Sequence, residues 1–171
     1  MSDPDPSPAR VVADADVLAA DLLCGGTARA ALDHLRRHSW TTLVASDALL
    51  DDAETVIAAT IGRGSDGGEP EEDDALAADW RERVEAWREP VDHPEGDHPA
   101  LASAYRGRAM HVVSFDESLT SASVATDLVA RFPVSVREPA AFDTLFDPES
   151  LYAEVVGGEY PGPDRDSLST S

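Results

Sequence analysis

The sequence predicts an α/β domain, a three-layer α/β/α sandwich built around a central parallel sheet. Three observations carry that prediction. Short apolar runs at 10–13, 41–45, 110–113 and 134–136 alternate with longer stretches whose apolar residues recur at helical spacing. The runs are short and mostly apolar, as strands covered by helices on both faces are. Two of them stop at polar steps, Asp14-Ala15-Asp16 and Ser114-Phe115-Asp116. Ligands in such sheets bind outside the carboxyl ends of the strands.

Taken in order, residues 1–9 are rich in Pro, Asp and Ser and read as a disordered lead-in to a domain over 10–147. Val11-Val12 forms the first strand, and the apolar stretch 17–23 is broken at Gly25-Gly26. Thr27 is the expected N-cap of a helix to about 38, with Ala30, Ala31, Leu32 and Leu35 inward. The β-branched run 41–45 is the second strand. Ser46 caps the next helix, whose Leu49, Leu50, Ala53, Val56, Ile57 and Ile61 make one face.

Residues 62–74, glycine-rich and acidic, predict a solvated loop. A helix over 75–89 follows, presenting Leu76, Trp80, Val84 and Trp87 on one face and ending at Pro90. Pro99 opens a helix striped by Ala100, Leu101, Ala104 and Tyr105 and closed by Gly107. Beyond the strand at 110–113, a helix is expected over 117–132 and a short one over 140–146. Residues 148–171 read as an acidic, polar tail.

The charge balance is unusual. Asp and Glu total 34 against 13 basic residues, all arginine, for a net charge of −21. Self-repulsion of that size strains a compact state. Screening in about 1 M salt, where the Debye length is about 3 Å, removes most of it. A halophilic, cytoplasmic setting is therefore expected. The single cysteine, Cys24, cannot form an intrachain disulfide and reads as a small apolar filler. No apolar stretch is long enough to cross a membrane, and the N-terminal residues lack the pattern of a signal peptide.

Asp14, Asp52, Asp97 and Asp116 stand out from this acidic background. Asp14 and Asp116 directly follow buried apolar runs, where an acid has no packing purpose. Asp52 has the alternative of a solvated helix face, and Asp97 that of a helix N-cap. Should the four meet, their repulsion calls for a cation. Oxygen ligands without His or Cys favour Mg²⁺ or Mn²⁺. The five histidines, His34, His38, His93, His98 and His111, show no metal-ligand spacing.

These residues resemble the PIN-domain nucleases. Asp14-Ala15-Asp16-Val17-Leu18 after Val11-Val12 is similar to the opening strand motif of that family, and Ser46 to Asp52, S-D-A-L-L-D-D, to its second. The run from Asp97 to Leu119 resembles the acid, Ala/Leu helix, strand and Ser-x-Asp step that follow. Val134 to Phe142 resembles the last strand and its Pro-x-x-Phe helix entry. The resemblance spans about 11–145.

It implies a PIN-like sandwich, a Mg²⁺ or Mn²⁺ site and cleavage of single-stranded RNA. Asp14, Asp52, Asp97 and Asp116 would bind metal and act in catalysis, with Ser114 and Asp16 positioning substrate. It also implies a homodimer and an antitoxin-like protein partner as candidates. Three positions depart from the pattern: Asp16 replaces Asn, Ser or Thr, Asp52 replaces Glu, and Phe115 replaces Gly.

Two rival readings share these residues. One is a PIN-like scaffold that binds a protein partner, favoured by the lack of a basic patch; Arg29, Arg36-Arg37, Arg63 and Arg106/Arg108 are the arginines available for phosphate. The other is a haloacid-dehalogenase-like phosphatase with Asp14 as nucleophile and Asp16 as acid. That chemistry needs a lysine, which the chain lacks, and Arg137 is the nearest substitute.

Overall fold

The computed structural model describes residues 7–64, 70–92, 99–116 and 134–164. Its elements run β1 (Ser7–Ala13), α1 (Ala15–Leu23), α2 (Gly26–Arg37), β2 (Thr42–Ser46), α3 (Asp47–Gly64), α4 (Pro70–Trp87), β3 (Glu89–Val91), α5 (Pro99–Gly107), β4 (Ala109–Val113), β5 (Ser135–Arg137), α6 (Pro139–Leu145) and α7 (Pro148–Val155).

All five strands are parallel, in the order β3-β2-β1-β4-β5. Val11 pairs with Leu43, Val12 with Val112, and Val113 with Arg137. The fold is thus the expected α/β class with a central parallel sheet. From β1 the chain steps outward to β2 and β3, then returns past them to β4. Right-handed crossovers put the two sets of connections on opposite faces. On one face α1 packs against both α2 and α3, α3 against α4, and α6 against α2. On the other, α5 lies across β2, β1 and β4.

Central strands buried on both sides explain their uninterrupted apolar sequence. Val11, Val12, Ala13, Val44, Ala45, Val112 and Val113 have no exposed surface. Leu32, Leu35, Leu49, Leu50 and Ile57 bring the helices onto them. Gly107 marks the closest approach of α5. A Cβ there would lie 2.2 Å from Val44 Cγ1, so no larger residue fits without displacement.

Several expectations change in the structure. β1 begins at Ser7 rather than after a lead-in ending at residue 9, because Ser7 N–H donates to the Arg108 carbonyl and extends the ladder; residues 1–6 lie outside the described residues. The apolar stretch 17–23 belongs to helix α1. Helix α2 starts at Gly26, with Gly25 rather than Thr27 at the cap; its φ of 71° suits glycine.

Helices α3 and α4 extend into the expected loop 62–74, of which 65–69 lie outside the described residues. Glu89-Pro90-Val91 forms an unforeseen strand on the sheet edge, where a proline costs no ladder bond. The expected helix over 117–132 lies outside the described residues. Leu76, Tyr105 and Cys24 are exposed instead of inward, while Trp80 and Val84 are buried as expected.

The supposed tail also differs. Helix α7, with Asp147 capping Ser150 N–H, occupies 148–155, and the chain through 164 straps back onto the α2–β2 corner. The Asp164 N–H donates to the Arg37 carbonyl at 3.0 Å, and its carboxylate accepts from Ser39 N–H at 2.8 Å. Tyr160 shares a hydrogen bond with His38 Nε2, whose Nδ1 meets the His34 carbonyl at 2.6 Å. Aromatic contacts explain why this polar segment docks: Phe146 stacks on His34, and Tyr152 meets Trp40 and Tyr160 edge-on. Residues 165–171 lie outside the described residues.

Candidate functional site

The strand order reverses between β1 and β4, the switch point where an open parallel sheet leaves a crevice beyond its strand ends. Asp14 leaves β1 there and Ser114 leaves β4. Backbone bonds keep the ends level: Asp14 N–H donates to the Val113 carbonyl at 2.8 Å, and Ser114 N–H to the Arg137 carbonyl at 2.9 Å.

Asp14 is buried, and both of its oxygens are engaged. Oδ1 accepts from Ala15 N–H at 2.8 Å, capping α1, and Oδ2 accepts from the Ser114 hydroxyl at 2.7 Å. Ser114 Oγ in turn accepts from Asp116 N–H at 3.0 Å. Asp16, in the first turn of α1, accepts from Phe115 N–H at 3.3 Å through Oδ2. The two steps Asp14-x-Asp16 and Ser114-x-Asp116 thus interlock, each holding the other's backbone or side chain.

Asp16 Oδ1 is the exception, being buried with no hydrogen-bond partner. Burial first, and then the neighbouring Asp14 charge, push the Asp16 carboxyl up to about 6; Asp116 adds to this, while the Val17 and Phe115 N–H groups oppose it. A carboxyl raised by burial and like charge at a strand end marks a functional-site candidate.

The structure therefore brings together Asp14, Asp16, Ser114 and Asp116. Asp52 is exposed on α3, and no hydrogen bond among the described residues ties it to the other three acids. Its neighbours Asp51 and Glu54 are held, both at 2.8 Å, by Arg81, which also bonds Glu85. Arg88 reaches Asp47 and the Ala45 carbonyl. Part of the S-D-A-L-L-D-D motif is thus structural, clamping α3 to α4. The Arg81–Glu85 spacing on one helix was the available signal for that clamp. Asp97, His93 and His98 lie outside the described residues. Among the described residues, no three His, Cys, Asp or Glu side chains form a ready cage for a metal ion.

Residues 5–168, nearly the whole chain, match a family of unknown function, DUF7384. The chain belongs to DUF7384. No curated protein and no solved structure matches it. In this DUF7384 chain the crevice residues are reached from both halves of the sheet, 100 residues apart along the sequence at the Asp14–Ser114 bond. Sequence reading missed the Phe115 backbone amide as a partner of Asp16, since no side-chain pattern announces a main-chain donor. Among the described residues, no helix is long and apolar enough to cross a membrane.

Proposed function

We propose that this chain is a divalent-metal-dependent hydrolase acting on single-stranded RNA phosphodiesters, a PIN-like nuclease working in a salt-rich cytoplasm. The observation that carries the reading is the buried, unpartnered Asp16 Oδ1 beside Asp14 and Asp116 at the switch point. An all-oxygen donor set with excess negative charge suits Mg²⁺ or Mn²⁺. Asp14, Asp116 and Asp16 would hold the ion, with Asp52 and Asp97 as further proposed ligands. Bound there, the metal supplies charge neutralisation at a phosphodiester and an activated water. The chain's own part is to orient the carboxylates: Ser114 fixes Asp14, and Phe115 N–H fixes Asp16.

The scaffold reading has one observation in its favour. Arg10, Arg29, Arg36, Arg81, Arg83 and Arg88 are all committed to carboxylates, which leaves little attraction for a polyanion. The phosphatase reading is weaker, because both oxygens of its would-be nucleophile, Asp14, already accept hydrogen bonds.

Mn²⁺ titration by calorimetry in concentrated KCl tests the proposal, comparing the wild type with Asp14→Asn and Asp116→Asn. Binding lost in both variants, together with metal-dependent cleavage of a single-stranded RNA, is the expected result. A folded wild type that binds no Mn²⁺ would leave the protein-binding scaffold as the better reading. Light scattering in the same salt reports whether a homodimer, with or without an antitoxin-like partner, belongs to the proposal.

A further inference from the structure

We propose that the cavity between the β4–β5 edge and helices α6 and α7 is a binding site for a small organic carboxylate with an apolar body. The cavity has a volume of 190 Å³, below the roughly 300 Å³ at which drug-sized sites begin, so it suits a small ligand. Phe142, Leu145, Phe146 and Leu151 form its apolar lining. Two polar groups from the sheet also line it, Arg137 of β5 and His111 of β4.

Strand register places these two on one face. Val113 pairs with Arg137, and His111 precedes Val113 by two residues. His111 Nδ1 is buried and has no hydrogen-bond partner, an expensive condition unless a ligand or water meets it. Arg137 is unusual in this acidic protein. The half-buried arginines Arg10, Arg36, Arg81, Arg83 and Arg88 each hold a carboxylate. Arg137, also half-buried, makes no ion pair or hydrogen bond through its guanidinium among the described residues. A guanidinium with no acid partner among the described residues, beside an orphaned imidazole nitrogen, suits a carboxylate group.

The mouth decides what kind of anion enters. Asp147 and Glu154 also line the cavity, and Asp147 is already occupied by the Ser150 N–H and hydroxyl. Both acids oppose a bare inorganic anion. Contact between the ligand body and Phe142, Phe146 and Leu145 must then supply part of the affinity. Asp14, Asp16, Ser114 and Asp116 do not line this cavity, and the proposal does not depend on any role for them.

Benzoate is the test probe, titrated into the full chain and followed by amide chemical shifts, with benzyl alcohol as the uncharged counterpart. Saturable benzoate binding that shifts His111, Arg137 and Phe142 is expected. Benzyl alcohol should bind at least about tenfold more weakly, and Arg137→Gln should weaken benzoate by a similar factor, the scale of one charge-assisted bond. Leu145→Trp, which fills the cavity from its exposed side, should abolish binding and serves where Arg137→Gln does not fold. No saturable shift in the wild type overturns the proposal. So does benzyl alcohol binding as tightly as benzoate, or benzoate binding retained in either variant.

Discussion

The Ser114 hydroxyl donates to Asp14 Oδ2 at 2.7 Å, and both groups are buried at the ends of adjacent central strands. This bond joins the two halves of the sheet at the crevice. The Ser114 side chain holds an acid in place and also accepts the Asp116 N–H.

Ser114→Ala leaves Asp14 Oδ2 buried without that donor. The expected loss of stability is about 1–3 kcal/mol, the usual penalty for an unsatisfied buried acceptor. Denaturant unfolding in concentrated KCl measures it. A Ser114→Ala protein as stable as the wild type would show that water or a cation already serves Asp14.

Asp16 yields a pH prediction with a definite sign. Its carboxyl lies at about 6 in the fold, above its ordinary value of 3.8. Between those values the folded state holds the proton more tightly than the unfolded chain. The contribution of Asp16 to stability is therefore present below pH 4 and lost as pH rises through 6. The stability of the wild type relative to Asp16→Asn, in metal-free buffer, should fall over that window. A relative stability that rises with pH would mean Asp16 ionises more easily in the fold than outside it.

Gly107→Ala brings a methyl within 2.2 Å of Val44 Cγ1, in a region with no free space. The Val44 side chain or helix α5 must then shift. Overpacking of this kind costs about 1–3 kcal/mol, which thermal unfolding resolves at about 2–4 °C per kcal/mol for a chain of this size. Gly25→Ala makes a useful contrast, since its strain comes from a φ of 71° rather than from a core clash.

The C-terminal strap depends on the Tyr160 hydroxyl against His38. Tyr160→Phe should cost about 0.5–1.5 kcal/mol, the net value of one hydrogen bond. It should also raise hydrogen exchange at Ser39, whose amide the Asp164 carboxylate accepts. Unchanged exchange there would mean the strap is held by Asp164 alone.

Much of the sheet was legible because burial on both faces demands apolar runs, which the central strands β1, β2 and β4 supply at Val11–Ala13, Leu43–Ala45 and Val112–Val113. β3 was not, since Glu89-Pro90-Val91 carries no such run; it is a strand only because β2 offers an edge for it to pair with. Helix α7 and the strap were hidden for a related reason. Their composition is polar, and they are fastened by Tyr160, Tyr152 and Asp164 to side chains more than 100 residues away.

At the crevice, Asp14 and Asp116 announced themselves as acids directly following apolar runs. Asp52 did not separate itself from Asp47, Asp51 and Glu54 in sequence. The structure assigns those three neighbours to Arg81 and Arg88. Local sequence determined which residues can form strands and where acids must leave them, since both follow from periodicity and desolvation along a few residues. Tertiary structure alone decided that the Asp14 and Ser114 strands lie side by side, that Asp16 Oδ1 is left unpartnered, and that Arg137 and His111 share a cavity. Those are consequences of strand order and register, which bring together residues whose separation along the chain carries no local signal.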